Sequence, residues 1–84
     1  MSALKPEQLE TGELYLFAPD AGGERIWGLF DATEPGGRIR LEGASRDFEH
    51  FDLRIVLPDG WRAVRAASRN ELRDFAFNWG YARR

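Results

Sequence analysis

The only histidine of the chain lies in an acidic segment that superficially resembles a metal or acid–base cluster. His50 is preceded by Asp47 and Glu49 and followed by Asp52. If this segment is extended, Asp47 and Glu49 project to one side and His50 and Asp52 to the other, because side chains alternate along a strand. One adjacent histidine–carboxylate pair then remains, whereas a zinc site normally needs three or four protein ligands. We therefore expect a surface histidine beside a carboxylate and no metal site.

The serine and glycine patterns supply no recognised catalytic or nucleotide-binding motif. Ser45 lacks the second glycine of a nucleophile elbow, and the sequence pairs it with no base. The Gly22-Gly23 and Gly36-Gly37 pairs lack the lysine and hydroxyl residue of a phosphate-binding loop. No spacing singles out a catalytic pair among the fourteen carboxylates. We expect no catalytic residues and no cofactor, and a small enzyme with an unrecognised carboxylate site is only the third hypothesis.

Basic residues are concentrated near the C-terminus of a chain whose net charge is −2. Residues 51–84 hold seven of the twelve basic residues, all of them arginines, and the aromatic residues Trp61, Phe77 and Tyr81 lie near them in sequence. Arginine and aromatic groups together bind protein partners or stack bases and neutralise phosphates. The candidate partner-binding residues are Trp61, Arg62, Arg65, Arg69, Arg73, Phe77 and Tyr81.

Two partner classes follow from these residues. The leading hypothesis is a non-catalytic interaction or regulatory module that binds a protein through the C-terminal helix and the adjacent strand, with Phe77, Arg69 and Arg73 as contacts. The alternative is RNA or single-stranded DNA binding through Arg62, Arg65, Arg69 and Arg73, although the pI near 5.3 is unlike that of dedicated nucleic-acid binders. The composition leaves open whether the protein is a monomer or a homodimer.

The elements that position these residues are those of one small α+β, β-rich domain spanning residues 1–84. We expect an N-terminal segment at 1–12 with one helical turn, a β meander at 13–66, a helix at 68–80 and a tail at 81–84. The five or so strands are expected to form a strongly bent antiparallel sheet or an open SH3-like barrel. A flat sheet under the helix is the alternative.

The spacing of apolar residues predicts which sides of the strands are buried, and the turn residues predict one hairpin. Residues 14–17 are apolar on both faces, which is typical of a well-covered strand, and Gly28 in mid-strand indicates a bend, a bulge or a close approach by a neighbouring backbone. Phe51, Leu53, Ile55 and Leu57 are predicted to share one face. The Pro58-Asp59-Gly60 turn is expected to join that strand to Trp61–Ala66 as an antiparallel hairpin, whose register depends on a two- or three-residue loop.

The C-terminal helix has signals at both ends. Ser68 and Glu71 have the spacing of a capping box, and Gly80 is expected to end the helix, with Tyr81 folding back toward Phe75 or Ala76. Leu72, Phe75, Ala76 and Trp79 form an apolar stripe at helical spacing. Phe77 falls outside this stripe, about 140° from Leu72. It is either covered by the N-terminal segment around Leu4 and Leu9 or exposed for a partner.

Composition sets the remaining expectations. With no cysteine, the chain has no disulfide or thiolate metal site, and residues 1–10 lack the apolar stretch of a signal peptide. No apolar run approaches the length of a membrane span. The sequence therefore predicts a cytoplasmic domain with no membrane partner.

Overall fold

Five strands and one C-terminal helix make up the fold, which a computed structural model describes for residues 4–82. A single turn of 3-10 helix, Pro6–Gln8, precedes them at the position predicted for a helical turn. The strands and the helix are β1 (Leu14–Pro19), β2 (Ile26–Thr33), β3 (Ile39–Ser45), β4 (Phe51–Val56), β5 (Trp61–Ala66) and α1 (Arg69–Ala82).

The strands form one antiparallel sheet in the order β4-β3-β2-β1-β5. The first four strands follow one another as a meander, and β5 returns to the free edge of β1. The sheet is open, because β4 and β5 lie at its two edges. The outer edge of β5 is covered in part by Leu4, whose N–H donates to Ala63 O at 3.0 Å. The predicted α+β class, with about five antiparallel strands and a C-terminal helix, is confirmed.

Bulges bend this sheet. β2 pairs with Gly43 and then with Leu41 of β3, so Glu42 between them is an extra residue. Val64 is extra in the same way where β5 pairs with β1. A bulge raises the local twist and bends its strand. The bends allow side chains from all five strands to meet in one cluster.

Two apolar clusters lie on opposite faces of the sheet. The inner core consists of Leu9, Tyr15, Phe17, Ile26, Phe30, Ile39, Leu41, Ala44, Leu57 and Ala63, with Leu4, Ile55 and Trp61 packed against it. The helix core consists of Leu14, Phe75 and Trp79, with Trp27, Leu29, Phe48, Phe51, Ala67 and Leu72 packed against it. Burial in these clusters contributes the main favourable term for folding.

β1 supplies both clusters because it is a central strand. Tyr15 and Phe17 point into the inner core, whereas Leu14 points into the helix core. The prediction that both faces of β1 are covered is therefore confirmed. Gly28 on neighbouring β2 is approached closely by side chains and not by a backbone, since a methyl group there would lie 2.5 Å from Leu41 Cδ1.

The N-terminus of α1 is capped as predicted. Ser68 N–H donates to Glu71 Oε1 at 2.8 Å, and Glu71 N–H donates to Ser68 Oγ at 3.2 Å. These two bonds satisfy donors that have no partner within the helix. Phe75 and Trp79 then anchor α1 on the sheet. The indole N–H of Trp79 is buried without a hydrogen-bond partner among residues 4–82, so packing accounts for the position of this ring.

The predicted C-terminus of the helix is wrong. α1 continues through Gly80 to Ala82, and Gly80 does not have the positive φ of a helix-ending glycine. The Tyr81 ring contacts Phe77 instead of folding back toward Phe75 or Ala76, and Ala76 is exposed. A single glycine lowers helix stability by only about 1 kcal/mol relative to alanine, so it does not have to end a helix that Trp79 anchors.

Gly80→Ala is expected to stabilise the protein by about 0.5–1 kcal/mol, because alanine is the better helix former. A methyl group at this position meets no atom within 4 Å. Urea denaturation followed by circular dichroism measures the change. Gly60→Ala is the matched control and should destabilise, since Gly60 has φ +91°. If both variants were equally destabilised, Gly80 would be acting as a helix cap.

The predicted hairpin between β4 and β5 does not form. β4 pairs with β3 and β5 pairs with β1, at opposite edges of the sheet, so neither predicted register exists. Leu57 N–H donates to Ile39 O, and Asp20 N–H donates to Gly60 O, which ties the connecting loop to the ends of other strands. Leu57 and Trp61 still share the inner core, as predicted.

β4 changes faces in its middle, contrary to the prediction of one apolar face. Phe51 packs against the helix core, whereas Ile55 packs against the inner core. Arg54 lies between them with φ +50°, a backbone conformation that residues other than glycine rarely adopt. Leu53, just before it, is 50% exposed. A backbone turn at Arg54 therefore reverses the alternation that a regular strand would keep.

Candidate functional site

Two large aromatic rings lie together on the outward side of α1. Phe77 is 67% exposed and Tyr81, one turn later, is 62% exposed. Their centroids are 5.4 Å apart and the rings meet edge to face. We call Phe77 and Tyr81 the aromatic face. It confirms that Phe77 lies outside the apolar stripe of the helix.

The described part of the N-terminal segment, residues 4–12, does not cover the aromatic face. Leu9 is buried in the inner core, and Leu4 packs against the same cluster while bonding to β5. The inner core lies on the side of the sheet opposite α1. Of the two alternatives for Phe77, cover by Leu4 and Leu9 is therefore wrong.

Phe48 joins the aromatic face to the sheet. Its ring lies 5.8 Å from Phe75 and 5.6 Å from Trp27 by centroid, within the helix core. The loop that contains Phe48 therefore lies beside Phe77, and a shallow groove separates this loop from α1. The residues lining the groove are Asp47, Phe48, Glu49, Arg73, Asp74, Phe77, Asn78 and Tyr81.

The loop wall of the groove is a turn held by Ser45 and Asp47. Ser45 Oγ accepts from Phe48 N–H at 2.8 Å, and Asp47 Oδ1 accepts from the N–H groups of Glu49 and His50, each at 2.9 Å. Donation from His50, by its N–H and then by its ring, holds the pKa of Asp47 well below its usual range. We call residues 45–50 the acidic turn. The segment is not extended, so the predicted alternation around His50 is wrong.

His50 pairs with Asp47, not with Asp52. Its Nδ1 lies 2.8 Å from Asp47 Oδ2, and this contact raises the pKa of the imidazole. The side chain of His50 is 86% exposed. The prediction of a surface histidine beside a carboxylate is therefore correct, with a different partner.

The Ser45, Asp47 and His50 side chains do not have the order of a catalytic triad. Asp47 lies between the other two, since Ser45 Oγ donates to Asp47 Oδ1 and His50 contacts Asp47 Oδ2. In a triad the histidine must contact the serine to take its proton. Ser45 Oγ also accepts backbone N–H groups of the turn, so its role is structural.

The acidic turn also contains three side chains of the kinds that bind metals, two carboxylates and one imidazole. Oxygen or nitrogen atoms of Asp47, Glu49 and His50 lie within 4.8 Å of one another. All three residues are exposed, and both carboxylate oxygens of Asp47 already accept hydrogen bonds within the turn. A metal bound through His50 Nδ1 and Asp47 Oδ2 would replace the hydrogen bond between these two atoms.

Arg65 is engaged within the molecule. Its Nη1 and Nη2 donate to the two Glu71 oxygens at 2.8 and 2.9 Å, and its guanidinium lies 5.0 Å from the centroid of the Trp27 ring. Such bidentate pairing and ring stacking suit arginine better than lysine. Arg65 therefore links β5, α1 and β2.

The other predicted arginines lie on two separate parts of the surface. Arg62 donates to Asp20 Oδ1 at 3.1 Å, beside the end of β1. Arg69 and Arg73 follow the same side of α1 as the aromatic face, at four-residue spacing, and Arg73 donates to Asn70 Oδ1 at 2.8 Å. Trp61 packs against the inner core. The seven candidate residues thus do not form one surface, and Arg69, Arg73, Phe77 and Tyr81 form the stripe that remains.

Sequence reasoning missed the acidic turn as part of this surface. Phe48, Asp47 and Glu49 reach the helix only because Phe48 packs on Phe75, a contact 27 residues away along the chain. The local signal was present, since Ser45 and Asp47 are residues that favour turns through their side-chain acceptors.

A second depression lies along β4, next to the acidic turn and over residues of the inner core. Its floor is apolar, and the polar side chains at its rim come from the acidic turn and the start of β4. The apolar floor consists of Ile26, Ala44, Ile55, Leu57 and Trp61, and the rim includes Arg46, Asp47, His50 and Asp52. Arg46 at this rim is paired with Glu24 at 2.6 Å.

No family model, no curated protein and no solved structure matches this chain. Within residues 4–82, no helix has the length and apolar character needed to cross a bilayer.

Glu71→Gln is expected to lower stability at neutral pH and to have little effect near pH 2. Arg65 and then the Ser68 N–H lower the pKa of Glu71 from 4.5 to about 2. Because the folded pKa is the lower one, this carboxylate stabilises the fold above pH 4.5 and loses that effect as the pH falls toward 2. Urea denaturation of both proteins across this range measures the difference. Asp74→Asn, on the same helix, is the control, and a Glu71→Gln loss that stayed constant down to pH 2 would contradict the ion pair.

Proposed function

We propose that this protein is a non-catalytic interaction module that binds a protein partner through the outward side of α1. The observation that carries the proposal is the aromatic face, in which Phe77 and Tyr81 are 67% and 62% exposed. Folding does not require these rings there, because Phe75 and Trp79 already anchor the helix. Exposed aromatic groups that cluster are typical of contact surfaces.

The size of the aromatic face favours the centre of a larger contact. Two aromatic side chains about two-thirds exposed present roughly 200–300 Å² of surface. A standard interface buries about 800 Å² on each partner. The proposed contact therefore extends over Arg69 and Arg73 along the helix and over the acidic turn across the groove.

Three of the sequence candidates do not belong to the proposed surface. Arg65 is held by Glu71 and Trp27, and Arg62 is held by Asp20. Trp61 packs against the inner core. The sequence predicted that the strand next to the helix would form part of the binding surface. In the proposed surface, the acidic turn replaces that strand.

The proposed setting is cytoplasmic, which agrees with a chain that contains no cysteine. The return of β5 to the edge of β1 after a four-stranded meander supports describing the domain as SH3-like. This description concerns strand order and carries no function by itself.

Phe77→Ala is expected to abolish capture of the partner while leaving the free energy of unfolding within about 1 kcal/mol of the original. The exposed ring contributes to binding and little to folding. The measurement is affinity capture from nuclease-treated lysate of the native cell, followed by rebinding of each identified protein in purified form. Nuclease treatment removes proteins held only through nucleic acid.

Leu53→Ala is the matched control, because Leu53 is 50% exposed but lies on β4, away from the aromatic face. It should retain the partner. Equal capture by the original protein and by Phe77→Ala would contradict the proposal.

A further inference from the structure

We propose that the partner docks an arginine-bearing basic segment in the groove between α1 and the acidic turn. This inference rests on the proposed function and names the chemistry of its partner. The aromatic face would stack against the guanidinium group, and the carboxylates of the groove would neutralise its charge.

The groove has the charge that such a segment requires. Three carboxylates line it, Asp47, Glu49 and Asp74, against one cation, Arg73. Among residues 4–82, no cation lies within ion-pair distance of Glu49 or Asp74, and Arg73 donates to Asn70. Two carboxylates are therefore available to a ligand beside exposed aromatic rings.

The same recognition already occurs inside this molecule. Arg65 lies over the Trp27 ring at 5.0 Å while Glu71 binds its guanidinium through two oxygens. Phe77 and Tyr81 with Glu49 and Asp74 offer equivalent groups on the surface. An arginine suits them better than a lysine, because a planar guanidinium stacks on a ring and binds carboxylates at the same time.

Charge complementarity also decides between partner classes. In the groove an acidic segment would face three carboxylates and one arginine, and nucleic-acid phosphates would meet the same net repulsion. A basic segment would both stack on the aromatic face and form ion pairs with the carboxylates.

The test is an NMR titration of the ¹⁵N-labelled protein with two synthetic nine-residue peptides of glycine and serine. One peptide carries three arginines, and the other carries three citrullines, which have the same shape without the charge. The arginine peptide should shift the amide signals of Phe48, Glu49, Phe77 and Tyr81, and the citrulline peptide should not. Glu49→Gln combined with Asp74→Asn should weaken binding about three- to tenfold, the range expected for two exposed ion pairs.

Neither Glu49 nor Asp74 contributes a side-chain acceptor to the hydrogen bonds of the turn, so this double variant should fold normally. Glu7→Gln combined with Glu13→Gln removes two exposed carboxylates elsewhere and should bind the arginine peptide unchanged.

Three outcomes would overturn the inference. They are equal binding of the citrulline peptide, arginine-induced shifts spread over all acidic residues, and concentration-dependent self-association that occupies the groove without any peptide. Loss of captured partner in Phe77→Ala together with equal capture by the Glu49→Gln/Asp74→Asn variant would keep the docking surface and refute only the basic segment. Unchanged capture by Phe77→Ala would instead refute the proposed function.

Discussion

Gly43→Ala is expected to reduce the free energy of unfolding by about 3 kcal/mol. A methyl group on Gly43 would overlap Cζ3 and Cη2 of the Trp79 ring and lie 2.8 Å from its Cε3. Trp79 cannot move away easily, because it is 8% exposed and its ring lies 6.1 Å from Phe75 and 6.0 Å from Phe51 by centroid. Urea denaturation followed by tryptophan fluorescence measures the loss.

Gly28→Ala is the matched control for this prediction, because it also adds a methyl group at a buried strand position. Its closest contact is Leu41 Cδ1, the tip of a flexible side chain, so the expected loss is smaller. In the double variant Gly43→Ala/Trp79→Leu the methyl group finds room, and the two losses should be less than additive. Strict additivity would mean that the Trp79 ring is not the cause.

Phe75→Ala is expected to cost about 3–5 kcal/mol, which is the range for an aromatic residue removed from a core. Phe75 is 1% exposed, and its ring lies 5.2 Å from Phe51 and 5.8 Å from Phe48 by centroid. Its removal opens a cavity between α1 and the sheet and detaches the acidic turn from the helix. Thermal and urea denaturation measure the loss.

Phe77→Ala supplies the comparison within the same helix, because the same atoms are removed two residues later. The loss there should stay below about 1 kcal/mol, since Phe77 is 67% exposed and its ring meets Tyr81 only edge to face. Similar losses for the two variants would mean that Phe77 is part of the core. The exposure of the aromatic face would then no longer support a partner-binding surface.

Local patterns predicted the elements whose signals are local. The capping box of Ser68 and Glu71 needs only neighbouring residues, and it forms with both hydrogen bonds. The two apolar faces of β1 were read correctly because alternation within one strand depends on backbone geometry alone. The outward position of Phe77 followed in the same way from helical spacing.

Errors arose where a distant contact overrides a local pattern. Pro58-Asp59-Gly60 is a sound hairpin signal, but β4 and β5 pair with other strands at opposite edges of the sheet. Gly80 is a sound cap signal, but the helix continues beyond it. The alternation from Phe51 to Leu57 is broken by the backbone conformation of Arg54.

One side of the candidate site follows from local sequence patterns, and the other side depends on contacts between residues distant in the chain. The helix side of it, with Phe77 one turn from Tyr81, was predictable from the sequence. The loop side was not, because Phe48 reaches the groove through rings that belong to β2 and α1. The prediction from sequence grouped the arginines because they are close along the chain. In the structure Arg62 and Arg65 form ion pairs with Asp20 and Glu71 and do not belong to the candidate site.

By itself, the sequence determined a β-rich fold, a capped C-terminal helix and an aromatic ring on the side of that helix that folding does not use. Only the tertiary structure decided which strands pair, where the helix ends and which charges surround that ring. The reason is physical: propensity, capping and alternation act over a few residues, whereas strand pairing and ion pairs depend on residues brought together by burial of the two cores.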